Sequence, residues 1–532
     1  MKCIGAGREP ALALLTAVLV CTAAVSQAAT INVTANASDV LNGADAQCSL
    51  REAIQNINDG ASTYADCVPA GAYGSGDTIN IPAGTYTTAI AGAGENLNAS
   101  GDYDINRSMA LVGAGAPTTI IDGGGLDRVF HITGAYTVSI TGVTITGGRA
   151  AGSNYHGGGV MVGGGTLTLN NSIVTGNAAP VFNYGGGIHV DSNGTLLANN
   201  STISGNSAYG GGGVTSWGLV TLTNSTVSGN TSVDDGGGFY NAATASLINS
   251  TISGNRTPHF GGGIFNQTGG HLTVTDSSVI GNIATGSTYN YGGGIYNNDA
   301  ATTDITRSTI GGNSATNASS NGRGGGLFNN TGTATMTVTN STISGNTANN
   351  GGGILNVGLL TVTGSTIVRN VAPPGQGAGH GRYSVGLNGT NVYINSIVAD
   401  NGAGLDCTAA LTNNGGNIDS DSSCGTFTHS AAMIQGTGFG PLASNGGPTQ
   451  THALLAGSAA LDAAPTCAGL TTDQRGTARP QGSACDIGAY ELAVAVVAAT
   501  PIPTGNVWAM IGFMLLAGLG AVHARSRASA AR

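Results

Sequence analysis

Through the middle of the chain, apolar residues alternate with threonine or serine, as in Leu272-Thr273-Val274-Thr275. A period of two puts successive side chains on opposite faces of a strand, one buried and one wet. Each alternating stretch leads into a recurring heptapeptide. It reads NSIVTGN from Asn171, NSTISGN from Asn200, NSTVSGN from Asn224 and NSTISGN from Asn249. It continues as DSSVIGN from Asp276, RSTIGGN from Arg307, NSTISGN from Asn340, GSTIVRN from Gly364 and NSIVADN from Asn395. Successive starts lie 24 to 33 residues apart. Between them sits GGG plus an apolar residue, from Gly157, Gly185, Gly211, Gly236, Gly261, Gly292, Gly324 and Gly351; most later copies extend to GGG-apolar-x-Asn. Nine repeats at this period predict a solenoid.

Three short β segments per repeat, separated by Gly and Asn, describe one coil of a parallel β-helix. The expected fold is all-β: a right-handed, single-stranded parallel β-helix of three-strand coils. About fourteen coils at ~4.8 Å would give a rod of roughly 65 Å. Glycine and asparagine suit the corners because they tolerate positive φ. Columns such as Asn206, Asn230 and Asn255 should hydrogen-bond along the rod. Asp276 and Arg307 share the first heptapeptide position and should be neighbours, a pair contributing ~0.2–1 kcal/mol.

Composition narrows the function. Of 532 residues, 91 are glycine, 8% are charged, and the net charge is −10 with Lys2 the only lysine. A nucleic-acid binder is excluded for want of a basic patch. Collagen is excluded because glycine has no period of three. A charge-rich disordered chain is excluded by 40% hydrophobic residues.

Residues 1–28 read as a signal peptide. Lys2 and Arg8 precede the apolar run Ala11 to Val20, and Ser26-Gln27-Ala28 offers a cleavage site. Six cysteines then remain, Cys48, Cys67, Cys407, Cys424, Cys467 and Cys485, suited to an oxidising compartment. Fifteen connectivities are possible; nearest-neighbour pairing is expected because short segments close most readily. Residues 48–54 read CSLREAI, with Ser49 and Glu52 at capping-box spacing and Leu50, Ala53, Ile54 and Ile57 on one face. They predict a short helix capping the first coil. At the other end Ile502-Pro503-Thr504 precedes an apolar stretch, Trp508 to Val522, closed by Arg525, Arg527 and Arg532. Apolar then basic is stop-transfer order, so this reads as a short transmembrane segment.

The expected organisation is 1–28 leader, 29–148 N-terminal cap and first coils, 149–401 glycine- and asparagine-rich coils, 402–491 C-terminal coils and cap, 492–500 linker, and 501–532 sorting segment. The repeats over about 150–400 resemble those of the chlamydial polymorphic membrane proteins. GDTINIPAGTY from Gly76, LVGAGAPTTIIDGGG from Leu111, GPLASNGGPTQTHALLAGSAALDA from Gly440 and DQRGTARPQGSACDIGAYE from Asp473 resemble bacterial surface proteins with a choice-of-anchor Q domain. Ile502, Pro503, Thr504 and Trp508 resemble the IPTL-type (IPTL-CTERM) sorting signals of Gram-negative bacteria. That resemblance implies export and display at the cell envelope, with the export machinery and an exosortase-like enzyme as partners.

Chemistry on sugars needs placed acids. Between Arg149 and Asp400 there are seven aspartates and six arginines, with no Glu or Lys. Asp234-Asp235 is the one adjacent acidic pair there and reads as a solvated turn. Gly379-His380-Gly381 is several coils away and reads as a loop. His156, His189, His259 and His271 lack ligand spacing, so no metal, cofactor or catalytic residue is expected. Aromatics stand just before five GGG markers: Tyr155, Tyr184, Tyr209, Phe260 and Tyr291. Stacked coils would align them into a stripe that either packs loops or binds sugar rings. The expected function is a non-enzymatic surface protein for adhesion or contact with polysaccharide, matrix or host surfaces. A polysaccharide lyase or glycoside hydrolase on a pectate-lyase-like β-helix is the alternative.

Overall fold

The first residue of all nine heptapeptides turns its corner in the left-handed region, with φ between +46° at Asn340 and +55° at Gly364. Asn, Asp and Gly bear this conformation best, and Arg307 adopts it too, at +47°. These corners belong to a parallel β-helix seen in a computed structural model that describes residues 27–493, apart from 151, 153–154, 288, 318–320, 373–376, 383–389 and 403–404. The expected leader, except its last two residues, and the expected sorting segment with its transmembrane stretch lie outside the described residues. Among the described residues no helix is long and apolar enough to cross a membrane.

Three parallel sheets run along the helix. The first has 14 strands, from Thr30–Asn32 to Thr412–Asn413, and the third has 14, from Gly84–Thr87 to Thr428–His429. The second has 12, from Tyr103–Ile105 to Leu405–Cys407. Inward positions fill the core in columns, such as Ile203, Val227, Ile252, Val279, Ile310 and Ile343, all fully buried.

The last heptapeptide residue forms the expected ladder. Asn177 donates from Nδ2 to Oδ1 of Asn206 at 3.0 Å, and the same bond repeats from Asn206 to Asn230, Asn255, Asn282 and Asn313. It runs on through Asn346 and Asn370 to Asn401. Each oxygen also accepts a backbone N–H of the preceding coil, as Asn255 does from Asn230 at 3.0 Å. A second ladder links Asn241, Asn266, Asn297, Asn329 and Asn356. Arg307 grips Asp276 through two bonds of 2.8 and 2.7 Å, the expected neighbour pair.

The coils hold more than the three expected strands. A fourth, 7-stranded sheet runs from Ala178–Tyr184 to Thr347–Ala348, because the chain beyond each ladder asparagine keeps pairing with the next coil. Its buried column is small throughout: Ala179, Ala208, Ser232, Thr257, Ala284, Ala315 and Ala348. The GGG triplets start the next corner. A side chain on Gly212 would meet the Thr231 carbonyl oxygen at 2.3 Å, so neighbouring coils touch backbone to backbone there.

The capping helix spans Leu50–Asp59, with Ser49 and Glu52 closing a reciprocal capping box. Leu50, Ala53, Ile54 and Ile57 are buried as expected, and Arg51 is buried too, paired with Asp39 at 2.7 Å. The disulfides join Cys48 to Cys67, Cys407 to Cys424 and Cys467 to Cys485, the nearest-neighbour scheme.

The C-terminal region departs from stacked coils. After His429 the chain forms an antiparallel pair, Phe439–Ala443 with Thr451–Leu454. It then lies back along the third sheet. The Thr309 hydroxyl donates to the Gln450 carbonyl, His452 pairs with Ser344 at 2.9 Å, and the Ala489 N–H donates to Thr366. Phe439, Leu454, Ala460 and Ile487 pack on Val368, Ile397 and Ala399. This strap covers outward positions that are Thr or Ser in most heptapeptides, and over the last two copies it covers apolar Val368, Ile397 and Ala399 beside Thr366.

Candidate functional site

On the outside of the second sheet, the central residue of each strand faces away from the core. Strand register aligns Met161, His189, Thr215, Tyr240, Phe265, Tyr296, Phe328 and Leu355 in one column. Phe265, Tyr296 and Phe328 are nonetheless buried. Of the five residues expected to form a stripe, all half-buried, Phe260 and Tyr291 supply part of the cover. Phe260 stacks on Tyr291 at 5.2 Å and on Tyr296 at 5.0 Å, with the planes 16° apart in both pairs. Phe265 stacks on Tyr296 at 5.3 Å. The Arg323 guanidinium lies 4.9 Å from the Tyr291 ring centre. Phe260 and Tyr291 are therefore mainly packing residues.

The wall changes character towards the N-terminus. Tyr184 sits edge-on to Tyr209 at 5.8 Å and to Tyr240 at 5.5 Å. Phe182 lies 4.9 Å from Tyr209 and is 71% exposed. Val181 beside it is exposed as well, and both residues adopt positive φ, +60° and +62°. Two successive bulky residues in the left-handed region are strained, and such strain gathers at functional positions. The strand register shifts between Ala179 and Tyr184, which throws this pair outward. Tyr155 stands apart from these rings, against the Arg128 guanidinium at 5.4 Å and the small residues Ala150, Ala179 and Ala208. Beneath the wall His156, His189 and Trp217 cluster, with ring centres 4.6 to 5.2 Å apart. Burial first, then His156, pushes the His189 ring well below its usual pKa.

Asp234 and Asp235 lie at a bend and are both half-buried, so they do turn the chain there but are not fully solvated. His259 reaches Asp234 through Nδ1 and Oδ1 at 2.9 Å, and Phe260 donates its N–H to Asp235 at 3.2 Å. Burial first, and the neighbouring Asp234 carboxylate second, raise the Asp235 pKa to about 7. Burial first, then the Asp234 and Asp235 carboxylates, raise the pKa of the Tyr184 hydroxyl.

The expectation of no metal site rested on histidine spacing along the chain, but the fold brings histidines to carboxylates across coils. Donor atoms of Asp234, Asp235 and His259 lie within 4.8 Å of one another, as do those of Asp102, Asp104 and His131. Aligned on GGG, Asp234 and His259 share one position a coil apart, so this meeting had a sequence signal. The column Tyr240, Phe265, Tyr296, Phe328 had one too: it is the variable position of GGG-apolar-x-Asn. Gly379-His380-Gly381 lies in strand Gly377–Arg382 rather than in a loop, and pairs with Ile354. It is five strands along the sheet from Phe239–Asn241, far from Asp234-Asp235. His271 belongs to the first sheet, away from the wall.

No family model matches the chain, and comparison with curated proteins finds no match. Among solved structures, the crystal structure of pectate lyase Pel9A is similar at 16% identity and a TM-score of 0.31, covering 78% of this chain and 88% of that one.

Proposed function

We propose that this chain is an exported, non-enzymatic β-helix of the bacterial cell surface that holds polysaccharide along its aromatic wall. The observation that carries this reading is the lip formed by exposed Phe182 over Tyr209, beside the Asp234–Asp235–His259 cluster. Aromatic faces stack on the apolar faces of sugar rings, while carboxylates and imidazole take their hydroxyls. The strained bulge at Val181-Phe182 supports it, since packing alone does not require an outward phenyl ring. The test is retention on a polysaccharide panel and a glycan array. Phe182→Ala with Tyr209→Ala should lose at least tenfold in affinity at unchanged thermal midpoint; undiminished binding would refute the lip.

Display at the envelope of a Gram-negative bacterium, through an exosortase-like enzyme acting on Ile502, Pro503, Thr504 and Trp508, belongs to the same proposal. Deleting 501–532 should release the protein from the envelope fraction.

One observation favours an enzymatic second reading. Asp235, held at about 7 beside Asp234, would suit a proton donor next to a carboxylate. Their donor oxygens lie within 4.8 Å, too close for the ~6.5–9.5 Å that admits an inverting water. Reducing-end release abolished by Asp235→Asn would establish this reading in place of simple binding.

A further inference from the structure

A second cluster of carboxylates and histidine lies in the first coils, between the second sheet and the capping helix. Asp104 and His131 are paired central residues of adjacent strands, Tyr103–Ile105 and Phe130–Ile132. Tyr103, Ile105, Phe130 and Ile132 fill the core, so Asp104 and His131 project to the opposite side together. Asp104 Oδ1 lies 3.1 Å from His131 Nδ1, and its Oδ2 accepts the Asn98 N–H at 3.0 Å. Asp102 is 1% exposed. Its Oδ2 accepts from Arg128 Nε at 2.6 Å, while its Oδ1 is buried with no hydrogen-bond partner. Asp127 Oδ2, buried nearby, has none either.

Burial of this kind is costly without a counter-charge. Three carboxylates, Asp102, Asp104 and Asp127, face a single guanidinium, Arg128, because Arg51 is already paired with Asp39. A cation would supply the missing charge and satisfy the orphaned oxygen. One imidazole nitrogen with two carboxylate oxygens is a donor set for zinc and its neighbours rather than for calcium, which takes oxygen throughout. Tetrahedral ligands at ~2.1 Å from zinc lie roughly 3.4 Å apart, close to the 3.1 Å between Asp104 and His131.

We propose that Asp102, Asp104 and His131 bind a divalent transition-metal ion, zinc in the first instance, that locks the capped first coils. The role is structural, because the His131 side chain is only 13% exposed and Asp102 and Asp104 are buried.

The test loads the purified full chain with zinc, removes excess, and measures zinc per chain beside the His131→Gln and His259→Gln variants. The expected result is that His131→Gln loses one equivalent and His259→Gln leaves that equivalent in place. Chelation should lower the thermal midpoint of the parent and of His259→Gln by several degrees, and leave His131→Gln unmoved. Should His131→Gln fail to fold, X-ray absorption of the zinc-loaded parent decides the matter, with a mixed nitrogen and oxygen shell expected. No retained zinc, an all-oxygen shell, or unchanged zinc content in folded His131→Gln would each overturn the site.

Discussion

Gln474 donates from Nε2 to the hydroxyl of Thr309 at 3.1 Å, across 165 positions of chain. The same amide nitrogen reaches Thr449 and the Gln450 carbonyl, and its oxygen accepts from Thr342 at 2.6 Å. One buried side chain thus fastens the C-terminal strap to two coils at once. Gln474→Ala leaves these partners buried and should cost ~2–3 kcal/mol. Limited proteolysis should then cut within 439–491 before the coils are attacked.

The ladder makes interior and corner asparagines unequal. Asn255 donates to Asn282 and to the Val227 carbonyl and accepts twice from Asn230. Asn255→Ala should cost ~2–4 kcal/mol in chemical denaturation. Asn249, at φ +48° on the corner, should cost only ~1 kcal/mol as alanine and less as glycine.

The Asp235 carboxyl gives a pH signature. Its folded pKa, about 7, lies above its ordinary value of 3.8, so the folded state binds the extra proton between them. Stability from this group is full below about pH 4 and is lost as pH rises through 7. Asp235→Asn should therefore be the more stable protein at pH 8, by on the order of 1–3 kcal/mol, with the difference closing by pH 4. Urea melts across that range measure it.

The two aromatic columns should part under mutation. Phe265→Ala removes a buried ring and should cost ~3–5 kcal/mol, whereas Phe182→Ala should be nearly neutral, because its ring is 71% exposed and alanine keeps the Cβ that opposes φ +62°. Paired thermal melts and polysaccharide retention distinguish packing from binding along the wall.

Cleavage after Ala28 would leave a free amine at Ala29, whose nitrogen lies 3.0 Å from buried Asp77 Oδ1. If the leader is removed as proposed, N-terminal sequencing of the secreted fraction should begin at Ala29. Asp77→Asn should destabilise this processed form by ~1–3 kcal/mol.

The architecture was legible where residues repeat with the coil. The heptapeptide marks the corner and the ladder, GGG marks close backbone approach, and CSLREAI announces the cap, because each is a local steric demand. The strap was not legible, since Gln474 and Thr309 meet only after all the intervening coils have stacked. Its one trace is the exchange of outward Thr and Ser for Val368, Ile397 and Ala399. The Asp234–His259 meeting was half-legible: the GGG alignment puts them at one position a coil apart, but the half-burial of Asp235 depends on packing that no local motif records.

The asparagine ladder also fixes how the fold yields to force. Its bonds join residues 24 to 33 apart, one coil to the next, and so run along the axis. Tension on one end of the stack loads the terminal rungs first. Coils should peel off singly, each freeing ~80–110 Å of slack at ~3.4 Å per residue, while those behind keep their rungs intact. The helix should then lengthen one coil at a time under tension, leaving the coils behind the break folded.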